Sequence, residues 1–191
     1  MRRALRSGAA APRLRLTQLA LGALDRLDAE ALVLGVCSDD RPLTGAAGAA
    51  DWRLQGRLSG FLQSGDFGGR ADEVLLTDTC ARIGTGRVLL VGLGPRGALD
   101  LAAARRGLRS MLVVAKKARL SRLALELPGL DQPGGPGPAE LGALTLEVLD
   151  KAHADAQLEL LVPSREVGEA LRAALGDAAA WREDEPPPAE E

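Results

Sequence analysis

A chain of 191 residues with 46% hydrophobic content can bury one good core and is short for two comfortable domains. Trp52, Trp181, Phe61 and Phe67 are its only aromatic residues, so Leu, Val and Ala must build that core and a site of stacked rings is nearly excluded. The net charge of −2 names no partner, but the charge is polarised: Arg2, Arg3, Arg6, Arg13 and Arg15 precede the first acid, Asp25, and Glu183, Asp184, Glu185, Glu190 and Glu191 crowd the end.

Residues 1–12 read as a flexible basic arm ending at Pro12. Arg13 and Arg15 interrupt the only candidate for the ~7–15-residue apolar run of a signal peptide. Nothing approaches the ~20 apolar residues of a membrane span. The expectation is a soluble, cytoplasmic protein. Cys37 and Cys80 are too few for a disulfide framework and read as small buried thiols of a reducing compartment.

From Arg13 the alternation of Leu14 and Leu16 with Arg15 and Thr17 predicts a half-exposed strand. Ala31–Val36 is a continuous apolar run, the pattern of a strand covered on both faces. A polar loop through Gly45 follows, then a helix over Ala50–Gln63 with Leu54, Leu58, Phe61 and Leu62 on one face, ended by Ser64-Gly65. Glu73–Thr77 and Arg87–Val91 read as strands. Asp100–Lys117 reads as a long helix with Leu101, Ala104, Leu108, Met111, Leu112 and Ala115 inward.

Arg122–Leu127 is the next strand. The stretch Pro128–Pro138 holds four glycines and four prolines and must be loop. Pro138 suits the first turn of a helix running to about His153. Gln157–Val162 is the last expected strand, and Ser164 caps a final helix with Val167, Ala170, Leu171 and Leu175 inward. From 179 the acidic, proline-rich tail reads as disordered. Strands alternating with helices imply one three-layer α/β/α domain over 13–178 with a mostly parallel sheet.

Gly92-Leu93-Gly94-Pro95-Arg96-Gly97 spells G-x-G-x-x-G after a strand. Free backbone N–H groups and a helix N-terminus there would suit an anion. Against a dinucleotide, the strand is the fourth in the chain, and the next acid at a strand end, Glu126, lies beyond the ~20-residue spacing that reaches a ribose. Asp100 would also cap the helix itself and repel phosphate. A structural turn is the simpler reading, with Gly45, Gly92, Gly94, Arg96 and Gly97 as the candidate ligand-binding set.

Seven basic residues and no acid lie between Asp100 and Glu126, and Arg105, Arg109 and Lys116 share one helical stripe flanked by Arg106 and Lys117. Such a stripe is ordinarily a solvated face. It could also dock an acidic partner or the chain's own acidic tail. Asp39, Asp40 and Asp51 lack further ligands at metal spacing and read as loop and cap residues. His153 reads as a solvated helix-end residue complementing the dipole. No catalytic constellation, metal site or cofactor site can be assembled.

Together, Ala31–Val36, the Asp40-Arg41-Pro42-Leu43-Thr44-Gly45 loop, Leu58–Gly69 with its Gly65-Asp66-Phe67-Gly68-Gly69 turn, and Val88–Gly94 resemble the N-terminal domain of the cytosolic leucyl aminopeptidases, over roughly 13–177. The resemblance implies an α/β domain related in architecture to macro domains, which elsewhere bind ADP-ribose. It also implies a role in assembly, because this domain packs within large oligomers in that family. The family's two-metal domain, with its Asn-Thr-Asp-Ala-Glu-Gly-Arg stretch, has no counterpart here, so peptidase chemistry is not implied.

The leading expectation is therefore a non-catalytic interaction protein that binds itself or another protein, such as a full-length aminopeptidase. Nucleotide binding of the macro-domain kind is the alternative. Weak nucleic-acid binding through Arg105, Arg109 and Lys116 comes third.

Overall fold

The computed structural model describes residues 13–182; the arm expected over 1–12 and the acidic residues from Glu183 onward lie outside the described residues. In chain order the elements are β1 (Leu14–Gln18), α1 (Leu21–Asp25), β2 (Ala31–Cys37), α2 (Gly45–Arg53), α3 (Arg57–Ser64), β3 (Val74–Asp78) and β4 (Arg87–Gly94). There follow α4 (Leu101–Lys117), β5 (Arg122–Glu126), α5 (Pro138–Ala152), β6 (Gln157–Val162), α6 (Arg165–Leu175) and β7 (Ala179–Trp181). One seven-stranded sheet runs in the order β3-β4-β2-β5-β6-β1-β7. Only β3 is antiparallel to its neighbour; every other pairing is parallel.

The apolar run of β2 explains its central place. Ala31 and Val33 face the layer of α4, α5 and α6, whereas Leu32, Leu34 and Val36 face that of α1, α2 and α3. Both faces are thus covered, as a parallel strand requires. The first layer packs Leu108, Met111 and Leu112 of α4 and Leu141, Leu144 and Leu149 of α5 onto the sheet. The second is built around Phe67, the one fully buried aromatic side chain among the described residues, with Leu24, Leu54 and Leu58.

Capping follows the sequence closely. Asp100 accepts from the Ala103 N–H at 2.7 Å and Ser164 from that of Val167 at 3.2 Å. At α5, Pro138 opens the helix and Glu140 reaches back to the Gly137 N–H at 2.9 Å.

Several elements differ from the sequence expectation. The helix expected over Ala50–Gln63 is two, broken where Gln55 and Gly56 take φ of 59° and 79°. Asp51 explains the break, because its carboxylate accepts from the N–H groups of Leu58 and Ser59 and starts α3 afresh. The short helix α1 was not foreseen. On α6 the inward face is Gly168, Leu171 and Leu175, and Ala170 is exposed. Leu101 is only partly buried, with Ala103 and Gly107 inward on α4 in addition to the expected set.

The tail expected from 179 begins as structure. β7 lies parallel to β1, with Trp181 opposite Leu16, and the Arg182 N–H donates to the Leu16 carbonyl at 3.0 Å. The Trp181 ring lies over Gly168, where a Cβ would collide with it. Its indole N–H donates to Glu169 at 2.8 Å and the Arg165 guanidinium stacks 4.0 Å from the ring centroid. Truncating Trp181 to Ala is expected to cost about 2 kcal/mol in urea denaturation. The same change at Trp52, which is 66% exposed, should cost no more than about 0.5 kcal/mol.

Candidate functional site

The carboxyl ends of β2, β4 and β5 meet where open α/β sheets bind ligands. Leu93 and Arg96 come from the end of β4 and the turn after it, Cys37 and Asp40 from the end of β2, and Glu126 and Asp131 from β5 and its loop. Arg96 crosses all three. Its Nε donates to Asp40 Oδ1 at 2.7 Å, its Nη1 lies 3.5 Å from Asp131 Oδ1, and its backbone N–H donates to Asp39 Oδ1 at 2.8 Å. These carboxylates, Asp40 above all, hold the guanidinium more firmly charged than an ordinary arginine. The space left open to a water-sized sphere is about 20 Å³, room for a single water.

The glycine-rich turn is spent on internal bonds. The Gly92 N–H donates to the Glu73 carbonyl at 2.8 Å and that of Gly94 to Gly69 at 2.9 Å. The N–H groups of Ala98 and Leu99 close a 3₁₀ turn onto Pro95 and Arg96, each at 3.0 Å. A phosphate would find no row of free donors at these positions. Gly92 is required by close approach, since a Cβ there would run into the Arg70 carbonyl. A Cβ on Gly97 would meet nothing within 4 Å, and Gly97 does not line the cleft. Of the turn's predicted residues, Arg96 alone lines the cleft; Gly92, Gly94 and Gly97 do not.

Gly45 sits across the cleft with φ of +55°, in the first turn of α2 rather than in the expected loop. The Ala46 N–H donates to Glu126 Oε2 at 2.9 Å, and a Cβ on Gly45 would fall 2.6 Å from that oxygen. Glu126 Oε1 is buried and has no hydrogen-bond partner among the described residues. Burial pushes this carboxyl up to about 7, with Asp131 adding to the rise and the Ala46 N–H opposing it. Glu126 and Asp131 were not singled out as site residues. Their only sequence signal is position, one at a strand end and one in the loop that follows.

Cys37 Sγ and the carboxylates of Asp39 and Asp40 lie within 4.8 Å of one another. Burial and the Asp40 charge push the thiol up to about 12, which keeps it protonated and a poor metal ligand. Asp40 already holds a cation, the Arg96 guanidinium, and also accepts from the Cys37 N–H at 2.8 Å, while Asp39 accepts from the Arg96 backbone N–H. Cys80, expected to be buried, is exposed in a left-handed turn with φ of 50°. His153, expected in solvent, is buried at the end of α5 with Nε2 2.8 Å from the Leu120 carbonyl.

The basic stripe on α4 is exposed along its length but divides in two. Arg105 turns to α5 and pairs with Glu147 at 2.6 Å, which, together with Lys151, holds that carboxyl down at about 2. Arg109 and Lys116 form no ion pair or hydrogen bond among the described residues. The three expected basic residues therefore do not act as one group.

This architecture is that of a macrodomain. The chain superposes on the Trypanosoma brucei macrodomain in complex with ADP-ribose with a TM-score of 0.68 at 18% identity, covering 89% of this chain and 72% of that one. The Mycobacterium tuberculosis DarG macrodomain matches with a TM-score of 0.60 at 19% identity over 78% and 98% of the two chains. A mutant tomato leucine aminopeptidase matches at 0.56 and 17% identity, over 89% of this chain and 36% of that one.

The family is more specific than the fold. Residues 33–158 match the model of the cytosol aminopeptidase family, N-terminal domain, and the chain belongs to that family. A probable cytosol aminopeptidase of Rippkaea orientalis is 28% identical over 105 residues, 55% of this chain and 21% of that protein. One from Nitrosomonas eutropha is 44% identical over 73 residues, 38% and 14% of the two. The matched region is thus about a fifth or less of these relatives' length. Among the described residues no helix is long and apolar enough to cross a membrane.

The raised Glu126 carboxyl makes folding stability depend on pH. Its folded value lies above the ordinary 4.5, so the unfolded chain ionises first as pH rises. Stability contributed by the protonated form is present below about 4.5 and is lost as pH climbs to about 7. Glu126→Gln keeps an acceptor for Ala46 and removes the titration. Urea midpoints across that window are expected to fall in the parent by the equivalent of about 3 kcal/mol relative to the variant.

Proposed function

We propose that this chain is a non-catalytic assembly module of the cytosol aminopeptidase family, binding itself or a full-length aminopeptidase of that family. One observation carries the reading. β3 is an edge strand whose Val74 and Leu76 are 41% and 50% exposed, on the face that α4 covers over the neighbouring β4. Proteins ordinarily blunt such an edge, because unpaired backbone and apolar side chains recruit other chains. The nearly filled carboxyl-edge cleft supports the same reading by leaving little room for a substrate.

Nucleotide binding is the second reading. The unpartnered Oε1 of Glu126, facing the cleft, and the ADP-ribose held by the Trypanosoma brucei macrodomain favour it. Asp39, Asp40, Glu126 and Asp131 oppose it, because a diphosphate would meet four carboxyl groups and would have to displace Arg96. Nucleic-acid binding has only the unpaired α4 cations in its favour and lacks aromatic platforms.

Sedimentation of the purified chain, alone and mixed with a purified family aminopeptidase, tests the assembly reading. Association is expected, and Leu76→Glu should abolish it while leaving the melting temperature within a few degrees, since the side chain is exposed. A strict monomer that also ignores the aminopeptidase overturns the proposal. Calorimetric binding of ADP-ribose by that monomer would put the second reading in its place.

A further inference from the structure

The outer flank of α4 carries Arg106, Arg109, Val113 and Lys117 at helical spacing, cationic at both ends and apolar between. Arg106, Arg109 and Lys117 form no ion pair or hydrogen bond among the described residues, in contrast to Arg105. A groove of about 300 Å³ lies between this flank and Asp72, just before β3. The exposed Val74 and Leu76 stand on the same side of the sheet. Three unpaired cations beside unburied aliphatic groups describe a surface awaiting an acidic, partly apolar segment.

We propose that the occupant is the segment Glu183–Glu191 of a second copy of this chain, a proposal that rests on the assembly reading. That segment is acidic at both ends and apolar between: Glu183, Asp184 and Glu185, then Pro186-Pro187-Pro188-Ala189, then Glu190 and Glu191. The spacings agree. Arg106 to Lys117 spans about 16 Å along a helix at ~1.5 Å per residue. Glu185 to Glu190 spans about 16 Å in the polyproline II form that successive prolines favour, at ~3.1 Å per residue. Carboxylates thus meet cations at both ends while proline rings cover Val113 and the β3 side chains.

The donor must be another copy. The segment departs from Arg182, pinned to β1 beside β7, at the opposite edge of the sheet from β3. α4 packs on β4, five strand spacings from β7, about 24 Å. Glu183, Asp184 and Glu185 follow Arg182 directly and cannot cross that width to their own α4. The contact is head-to-tail, so it extends to rings or chains of subunits rather than stopping at a two-fold dimer by symmetry alone.

Sedimentation of the full chain over a range of protein and salt concentrations reads the proposal. Association should grow with protein concentration and weaken as salt screens the charges. Two reversed variants should each be monomeric: Arg106→Glu with Arg109→Glu, and Glu183→Lys with Asp184→Lys and Glu185→Lys. Mixing them should restore association, because each then offers the complement the other needs, and circular dichroism on each shows that it is folded. Association that survives both reversals overturns this contact and leaves the assembly reading standing. A parent monomeric under all conditions overturns the contact, and a failure of the mixture to associate does so too.

Discussion

The loops at the carboxyl edge of this molecule depend on one guanidinium. Arg96 binds Asp39 through its backbone and Asp40 and Asp131 through its side chain, so the loops after β2, β4 and β5 are tied at a single point. Asp40 is itself buried and returns a bond to the Cys37 N–H, which ends β2. Such a partly buried, multiply bonded cation holds more than a surface ion pair would, because removing it leaves Asp40 buried and unpaired. The cost of that rigidity is the cleft itself. Open α/β sheets bind ligands at this edge; here the space is filled by the chain's own charges.

The fold was legible because its cues are local and repeated. The apolar run of β2, the caps at Asp100 and Ser164 and the Pro138 start each specify an element without reference to the rest of the chain. The places where reading failed are those where a distant partner decides. Ala50–Gln63 has one unbroken apolar face, and only the reach of Asp51 to the N–H groups of Leu58 and Ser59 divides it. Ala179–Trp181 looks like the start of an acidic tail until Gly168 and Arg165 offer the indole a seat. His153 reads as solvated because the carbonyl that holds it, Leu120, is 33 residues away.

The site was legible in part, for the same reason. Arg96 and Gly45 were picked out by the glycines around them; Arg96 lines the cleft and Gly45 packs against Glu126, which lines it. What the letters could not show is that the N–H groups of the G-x-G-x-x-G turn are consumed by Glu73, Gly69 and Asp39. Motif spelling records where a backbone can turn closely; it does not record who occupies the donors. Here Gly92 is glycine because Arg70 passes over it, a packing reason that produces the same spelling as a phosphate loop. Glu126 was not singled out as a site residue because a lone carboxyl at a strand end has no sequence signature until folding buries it against Ala46.

The two edges of the sheet are treated unequally, and this asymmetry bears most on what the molecule does. At one edge β7 is short, bonded to β1 and roofed by Trp181, Arg165 and Glu169, so little backbone is left to recruit a neighbour. At the other, β3 pairs with β4 on one side and shows Val74 and Leu76 on α4's side of the sheet, beyond the part that the helix covers. Sheet edges are protected when association would be harmful. The β7 edge is three residues long, whereas β3 runs for five and leaves two aliphatic side chains bare. The proposed assembly contact rests on this asymmetry: it lies beside α4, where the unpaired arginines stand, and away from the cleft that Arg96 fills.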